Sequence, residues 1–178
     1  MQRRDTVVDH RPQWPNVVGT IGIVLGIVLL LDSVDDLITA RWTAAEWRWI
    51  FPPDLADLIA RSMPPAAWRA VSAAVEIGLA ALLIVGSVAL RRRTRHGVSL
   101  CRLWAWLAIV WVVVVIGRGT LWLAQHGGEL PGIGAVRWEV YVPFALGLAA
   151  ALLLAFPVFL LVWLSGTAAR SEYEAWPR

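Results

Sequence analysis

Four long apolar stretches divide this 178-residue chain, and they restrict it to folds that place such stretches in lipid. A helix needs about 20 apolar residues to cross a hydrocarbon core about 30 Å thick. The chain is 58% hydrophobic, which is more than a soluble domain of this size carries. We predict an all-α fold, a polytopic four-helix membrane bundle that forms a single domain over residues 1–178. Its spans are expected at about residues 15–36, 67–90, 100–124 and 138–165.

The arginines predict the orientation of the bundle. The chain has 16 basic residues, all of them arginine. Nine lie in the N-terminus, the 91–98 loop and the C-terminal tail, and Arg102 at the same end of the third span makes ten. Because positive loops stay in the cytoplasm, both termini and this loop are expected there. The residues expected to determine this topology form a basic cluster: Arg91, Arg92, Arg93 and Arg95. So short a loop is not expected to bind nucleic acid.

The outer loop at residues 39–66 contains a short amphipathic pattern. Thr43 and Glu46 have the spacing of a helix capping box. Four large apolar residues follow: Trp47, Trp49, Ile50 and Phe51. A tryptophan-rich amphipathic segment beside a membrane is typical of an interfacial helix. The alternatives are a lid over a cavity and a docking face for a partner.

Glycines in the first span predict a close helix contact. Gly22 and Gly26 have GxxxG spacing, and Gly19 lies one turn earlier. Small residues let two helix backbones approach closely in lipid. The expected partner is another helix of the same bundle.

Two charges lie within the spans and form the candidate site. Measured from Trp68, Glu76 lies about 12 Å into the second span at the helical rise of about 1.5 Å per residue. Arg118 lies about 6 Å from Trp122 at the same rise per residue. A charge in hydrocarbon normally faces a partner, so we predict an ion pair between Glu76 and Arg118, with Asp32 as a third member. The alternatives are a proton- or ligand-coupled site and a protonated, unpaired Glu76.

The predicted spans lack the residues that several chemical functions require. His10, His96 and His126 all lie outside the predicted spans, so haem ligation by two histidines inside the bundle is not expected. We predict no catalytic, cofactor-binding or metal-binding residues, and we do not expect an enzyme. We expect a structural or accessory membrane protein that acts as a subunit of a larger complex or as a homo-oligomer. The alternative is a small transporter or channel using Glu76 and Arg118.

The last span and tail carry a family resemblance. The run from Phe156 to Leu164, followed by Arg170, Glu172, Glu174 and Trp176, resembles the close of small four-span bacterial integral membrane proteins of unassigned function. The 22–31 stretch and the Arg-rich turn after the second span are similar to that group too. The resemblance implies a multi-pass protein of the bacterial cytoplasmic membrane. It implies no activity.

Overall fold

The fold is built from long apolar helices. The computed structural model describes residues 13–50, 53, 56, 57, 60, 64–126 and 138–177. Its helices are α1 (Trp14–Thr39), α2 (Ala44–Trp47), α3 (Ala66–Arg91), α4 (Arg95–His126), α5 (Trp138–Ser165) and α6 (Thr167–Tyr173). Four of them, α1, α3, α4 and α5, are long and apolar enough to cross a membrane. The predicted all-α, four-span membrane fold is confirmed, and the chain is a multi-pass membrane protein.

The spanning helices pack in chain order. Helix α1 contacts α3, α3 contacts α4, α4 contacts α5, and α6 folds back on α5. We call one end of the bundle the Arg-rich end, because the start of α1, the turn between α3 and α4, and α6 meet there. The opposite end holds the end of α1, α2 and the start of α3, and we call it the acidic end.

The glycine stripe of α1 is the contact with α3. A Cβ at Gly26 would lie 3.2 Å from the carbonyl oxygen of Ala80, and a Cβ at Gly22 would lie 3.1 Å from the Cβ of Ser87. Distances this short leave no room for a side chain. The predicted close packing inside the bundle is therefore confirmed.

The connection between α3 and α4 is shorter than the predicted 91–98 loop. The Thr94 hydroxyl donates to the carbonyl of Ala89 at 3.0 Å and accepts from the Gly97 amide at 3.3 Å. This capping starts α4 at Arg95. A Cβ at Gly97 would lie 2.6 Å from the carbonyl carbon of Ala89. Glycine at this position therefore lets the two helices cross closely.

The apolar core occupies the middle and the Arg-rich half of the bundle. Its buried members are Val18, Leu83, Leu90, Val98, Cys101, Trp104, Ala105, Ala108, Leu160, Leu164 and Trp176. Toward the acidic end, buried small apolar residues such as Ala40 and Ala73 are joined by polar and aromatic side chains, including Ser33, Glu76 and Trp111. That half of the bundle contains the candidate site.

Candidate functional site

Glu76 lies half-buried on α3 and faces both neighbouring helices. The indole nitrogen of Trp111 on α4 donates a hydrogen bond to its Oε1 at 3.1 Å. Ser33 of α1 lies beside the same carboxylate. Ser33 is buried, and its hydroxyl donates to the carbonyl of Leu29 at 2.6 Å. The carboxylate therefore accepts a hydrogen bond from a neutral donor on α4 and lies against α1 at Ser33.

Arg118 is connected to Glu76 through two tryptophans. The guanidinium carbon of Arg118 lies 3.8 Å from the ring centre of Trp68, which is a cation–π contact. Trp68 stacks on Trp111, with ring centres 6.2 Å apart. The four side chains form a row: Arg118, Trp68, Trp111 and Glu76. We call this the polar row.

The two charges do not touch in the described part of the chain. The ion pairs within 4 Å there join Arg48 to Asp57, Arg93 to Glu172 and Arg170 to Glu174. The rings of Trp68 and Trp111 lie between the two charges. A direct ion pair between Glu76 and Arg118 stays a prediction.

Asp32, the expected third member, lies exposed on α1 near the acidic end. It and Asp36 are close enough to Glu76 for their carboxylates to repel it. At the end of the same helix, the Arg69 guanidinium donates to the carbonyl of Thr39 at 2.8 Å. Among the described residues, no group of three His, Cys, Asp or Glu side chains is arranged to hold a metal ion.

An open apolar groove lies next to the polar row. It has a volume of about 320 Å³ and runs between α3 and α4. Its lining residues are Val75, Gly78, Leu79, Leu82, Leu107, Val110 and Trp111. Trp111 thus contacts both the groove and the Glu76 carboxylate.

The outer loop begins with the predicted capping box. The Thr43 amide donates to Glu46 Oε2 at 2.7 Å, and the Ala45 amide donates to the Thr43 hydroxyl at 3.3 Å. The hydrogen bonds from Thr43, first from its hydroxyl, lower the pKa of the Glu46 carboxyl. The reciprocal bonds start α2 at Ala44.

The expected docking residues of this loop have different surroundings. Trp47 packs edge-on against Trp42, with ring centres 5.1 Å apart. Trp49 is 90% exposed and Ile50 is 58% exposed. Phe51 lies outside the described residues. The exposed pair leaves apolar surface available at the acidic end.

A cluster at the Arg-rich end was not predicted from the sequence. The indole nitrogen of Trp14 donates to Glu172, and the Trp14 ring stacks on Trp176 with ring centres 5.6 Å apart. The ring of Trp163 meets Trp14 edge-on at 6.4 Å. Trp176 is only 7% exposed. The tail that follows α5 is therefore a packed part of the bundle.

Arginines hold this tail in place. The Arg95 guanidinium donates to the carbonyl of Trp176 at 2.8 Å. Arg102 donates to the Tyr173 hydroxyl at 2.9 Å, and Arg93 lies 3.8 Å from Glu172. Arg93 and Arg95 were expected only as topology determinants. The contacts of the tail join residues at long sequence separations, which local sequence patterns do not reveal.

Helix α5 carries a second stripe of small residues, which sequence reasoning missed. Gly147, Ala151 and Ala155 follow one another at intervals of four and are all exposed. A Cβ at Gly147 would meet nothing within 4 Å. This spacing lets a second helix approach closely, as in α1, but within the described residues no helix covers it.

Comparison with known proteins gives no match: no family model, curated protein or solved structure is similar to this chain.

Proposed function

We propose that this membrane protein has a structural or accessory role, as a subunit of a larger membrane assembly. One observation carries the proposal. Among the side chains described between residues 144 and 153, all but the half-buried Ala150 are exposed, with Phe144, Leu148 and Leu152 at 70%, 52% and 68%. The small-residue stripe runs through this stretch, beginning at Gly147.

The small-residue stripe of α5 favours contact with another helix over contact with lipid alone. Large apolar side chains suffice for contact with acyl chains, whereas small residues at intervals of four favour close backbone approach by another helix. In α1 the same kind of stripe is covered by α3. The uncovered stripe of α5 is therefore the expected docking face for a transmembrane helix of a partner.

A pulldown of the tagged protein in mild detergent tests this role. We expect a stoichiometric partner that is lost when Ala151→Leu fills the stripe. Ala149→Leu is the matched control, because Ala149 is also exposed but lies on the opposite side of α5. Recovery of the chain alone, or equal loss with both variants, would contradict the proposal.

The outer loop is a second proposed contact with the partner. Trp49 is 90% exposed, far more than Trp47, which packs on Trp42. Trp49→Ser should leave insertion intact and reduce the yield of the complex. An unchanged yield would remove the loop as a docking face.

We place the protein in a bacterial cytoplasmic membrane with both termini inside. The support is the arginine excess at the Arg-rich end, including Arg91, Arg92, Arg93 and Arg95. The test is a pair of fusions after Pro177, one reporter active only outside the cytoplasm and one active only inside. Activity of the outside reporter would overturn this orientation.

A small transporter is the second candidate function. The observation in its favour is the position of Trp111, which lines the apolar groove and donates to Glu76. A groove beside a carboxylate fits a lipophilic cation. In proteoliposomes, Glu76→Gln should abolish pH-dependent cation uptake without unfolding the protein. If the wild type shows no uptake, this candidate is excluded for the cations tried.

A further inference from the structure

The tail divides the charges of the Arg-rich end into two groups. Of the described acids there, Glu172 lies 3.8 Å from Arg93 and Glu174 lies 2.7 Å from Arg170. Arg95 and Arg102 are bonded to the tail, as described above. Among the described residues of this end, these contacts use Glu172 and Glu174 and engage four of the six arginines.

Arg91 and Arg92 are the group that the tail does not engage. Both side chains are exposed. Within the part of the chain that the structure describes, neither makes an ion pair or a side-chain hydrogen bond. Among the described residues, no acidic side chain therefore balances these two adjacent positive charges at the end of α3.

The stem of Arg91 is held in place by α1. A Cβ on Gly19 would lie 3.3 Å from Cδ of Arg91 and 2.8 Å from the carbonyl oxygen of Ser87. The methylenes of Arg91 therefore lie against the backbone of α1 while the guanidinium stays exposed, as expected for a side chain at a membrane edge. Val17 and Val85, near the same end of these two helices, are 55% and 57% exposed.

We propose that Arg91 and Arg92 form a binding site for the phosphate headgroup of an anionic phospholipid. Guanidinium groups bind phosphate oxygens with paired hydrogen bonds, and two of them lie side by side here. The exposed valines put acyl chains against the helices just below the arginines. The ligand is therefore a lipid of the leaflet at the Arg-rich end, and this assignment does not depend on the proposed accessory role.

The test is lipid binding to the purified full chain in a mild detergent, read by native mass spectrometry. The probes are phosphatidylglycerol and zwitterionic phosphatidylcholine. Wild type should prefer phosphatidylglycerol. Because a basic residue at a membrane surface contributes about fivefold in affinity, Arg91→Gln and Arg92→Gln should each weaken that binding about fivefold, and together about 30-fold.

Arg170→Gln is the matched control. It removes one charge from an exposed arginine at the same end, but one that is already paired with Glu174. We expect less than a twofold change in phosphatidylglycerol affinity, and thermal unfolding in detergent should be unchanged in every variant.

Three outcomes would overturn the proposal. The double variant could keep the preference for phosphatidylglycerol. Arg170→Gln could weaken binding as much as Arg91→Gln, which would show that only net charge matters. Inorganic phosphate in large excess could displace the lipid completely, which would assign the site to a soluble anion.

Discussion

The hydrogen bond between Trp111 and Glu76 makes the sharpest prediction about the polar row. Its length is 3.1 Å, and it joins α4 to α3 toward the acidic end of the bundle. Side-chain hydrogen bonds between membrane helices contribute about 0.6 kcal/mol on average and about 1.7 kcal/mol at most. Between these two values, we expect a coupling free energy of about 1 kcal/mol.

A double-mutant cycle measures this coupling. Glu76→Leu removes the acceptor and Trp111→Phe removes the donor while keeping a ring. Free energies of unfolding in mixed micelles, followed by far-UV circular dichroism, should be non-additive by about 1 kcal/mol. Trp106→Phe is the control, because Trp106 lies on the same helix but is 61% exposed. Its coupling with Glu76→Leu should be zero within about 0.5 kcal/mol.

The same cycle with Arg118 tests the direct ion pair. If the two tryptophan rings keep the charges apart, Glu76→Leu and Arg118→Leu should add within about 0.5 kcal/mol, whereas the predicted direct pair should make them non-additive. A coupling above that of Trp111 would establish the direct pair and refute the polar row as described. Additivity of Glu76→Leu with Trp111→Phe would refute the hydrogen bond itself.

Three further predictions concern packing, the tail and the outer loop. Gly22→Ala should destabilise the bundle by about 2 kcal/mol in detergent unfolding, because its methyl group meets α3, whereas Gly78→Ala, with open space around it, should be neutral or stabilising. Trp176→Ala should cost about 3 kcal/mol and make the tail sensitive to protease, because the ring is buried against Trp14. The lowered pKa of Glu46 means that its capping bonds stabilise α2 above the ordinary glutamate pKa of about 4.3, and this stabilisation is lost as pH falls through the lower folded value. The protection of α2 amides against hydrogen exchange, corrected for the intrinsic exchange rate, should therefore fall as the Glu46 carboxyl is protonated, and Glu46→Gln should remove that pH dependence.

Features that depend on local spacing could be predicted from the sequence. The spans follow from the length of apolar runs, the α1 contact from glycines at fixed intervals, and the start of α2 from Thr43 and Glu46. Each of these needs only a few neighbouring residues and one element of known geometry. They account for the spans and for a close contact of α1 with another helix, but not for which helix that is.

The partners of the polar row could not be predicted in this way. The rise per residue gives the depth of Glu76 and Arg118 but not their rotation about the helix axes. That rotation depends on how Trp68 and Trp111 pack between α3 and α4. The small-residue stripe of α5 was readable from its spacing, whereas its exposure was not, because exposure depends on what the other helices leave uncovered.

The packing of Trp14 has a consequence for the order of folding. Its hydrogen-bond partner, Glu172, lies 158 residues along the chain. Helices α3 and α4 meet across a three-residue turn and can pair as soon as both have entered the membrane. During synthesis, the Trp14 ring cannot stack on Trp176 until nearly all of the chain between the two residues has been translated. The Arg-rich end is therefore the last region of the bundle to pack. Until it packs, its arginines and the indole of Trp14 stay accessible to chaperones, lipid and partner chains.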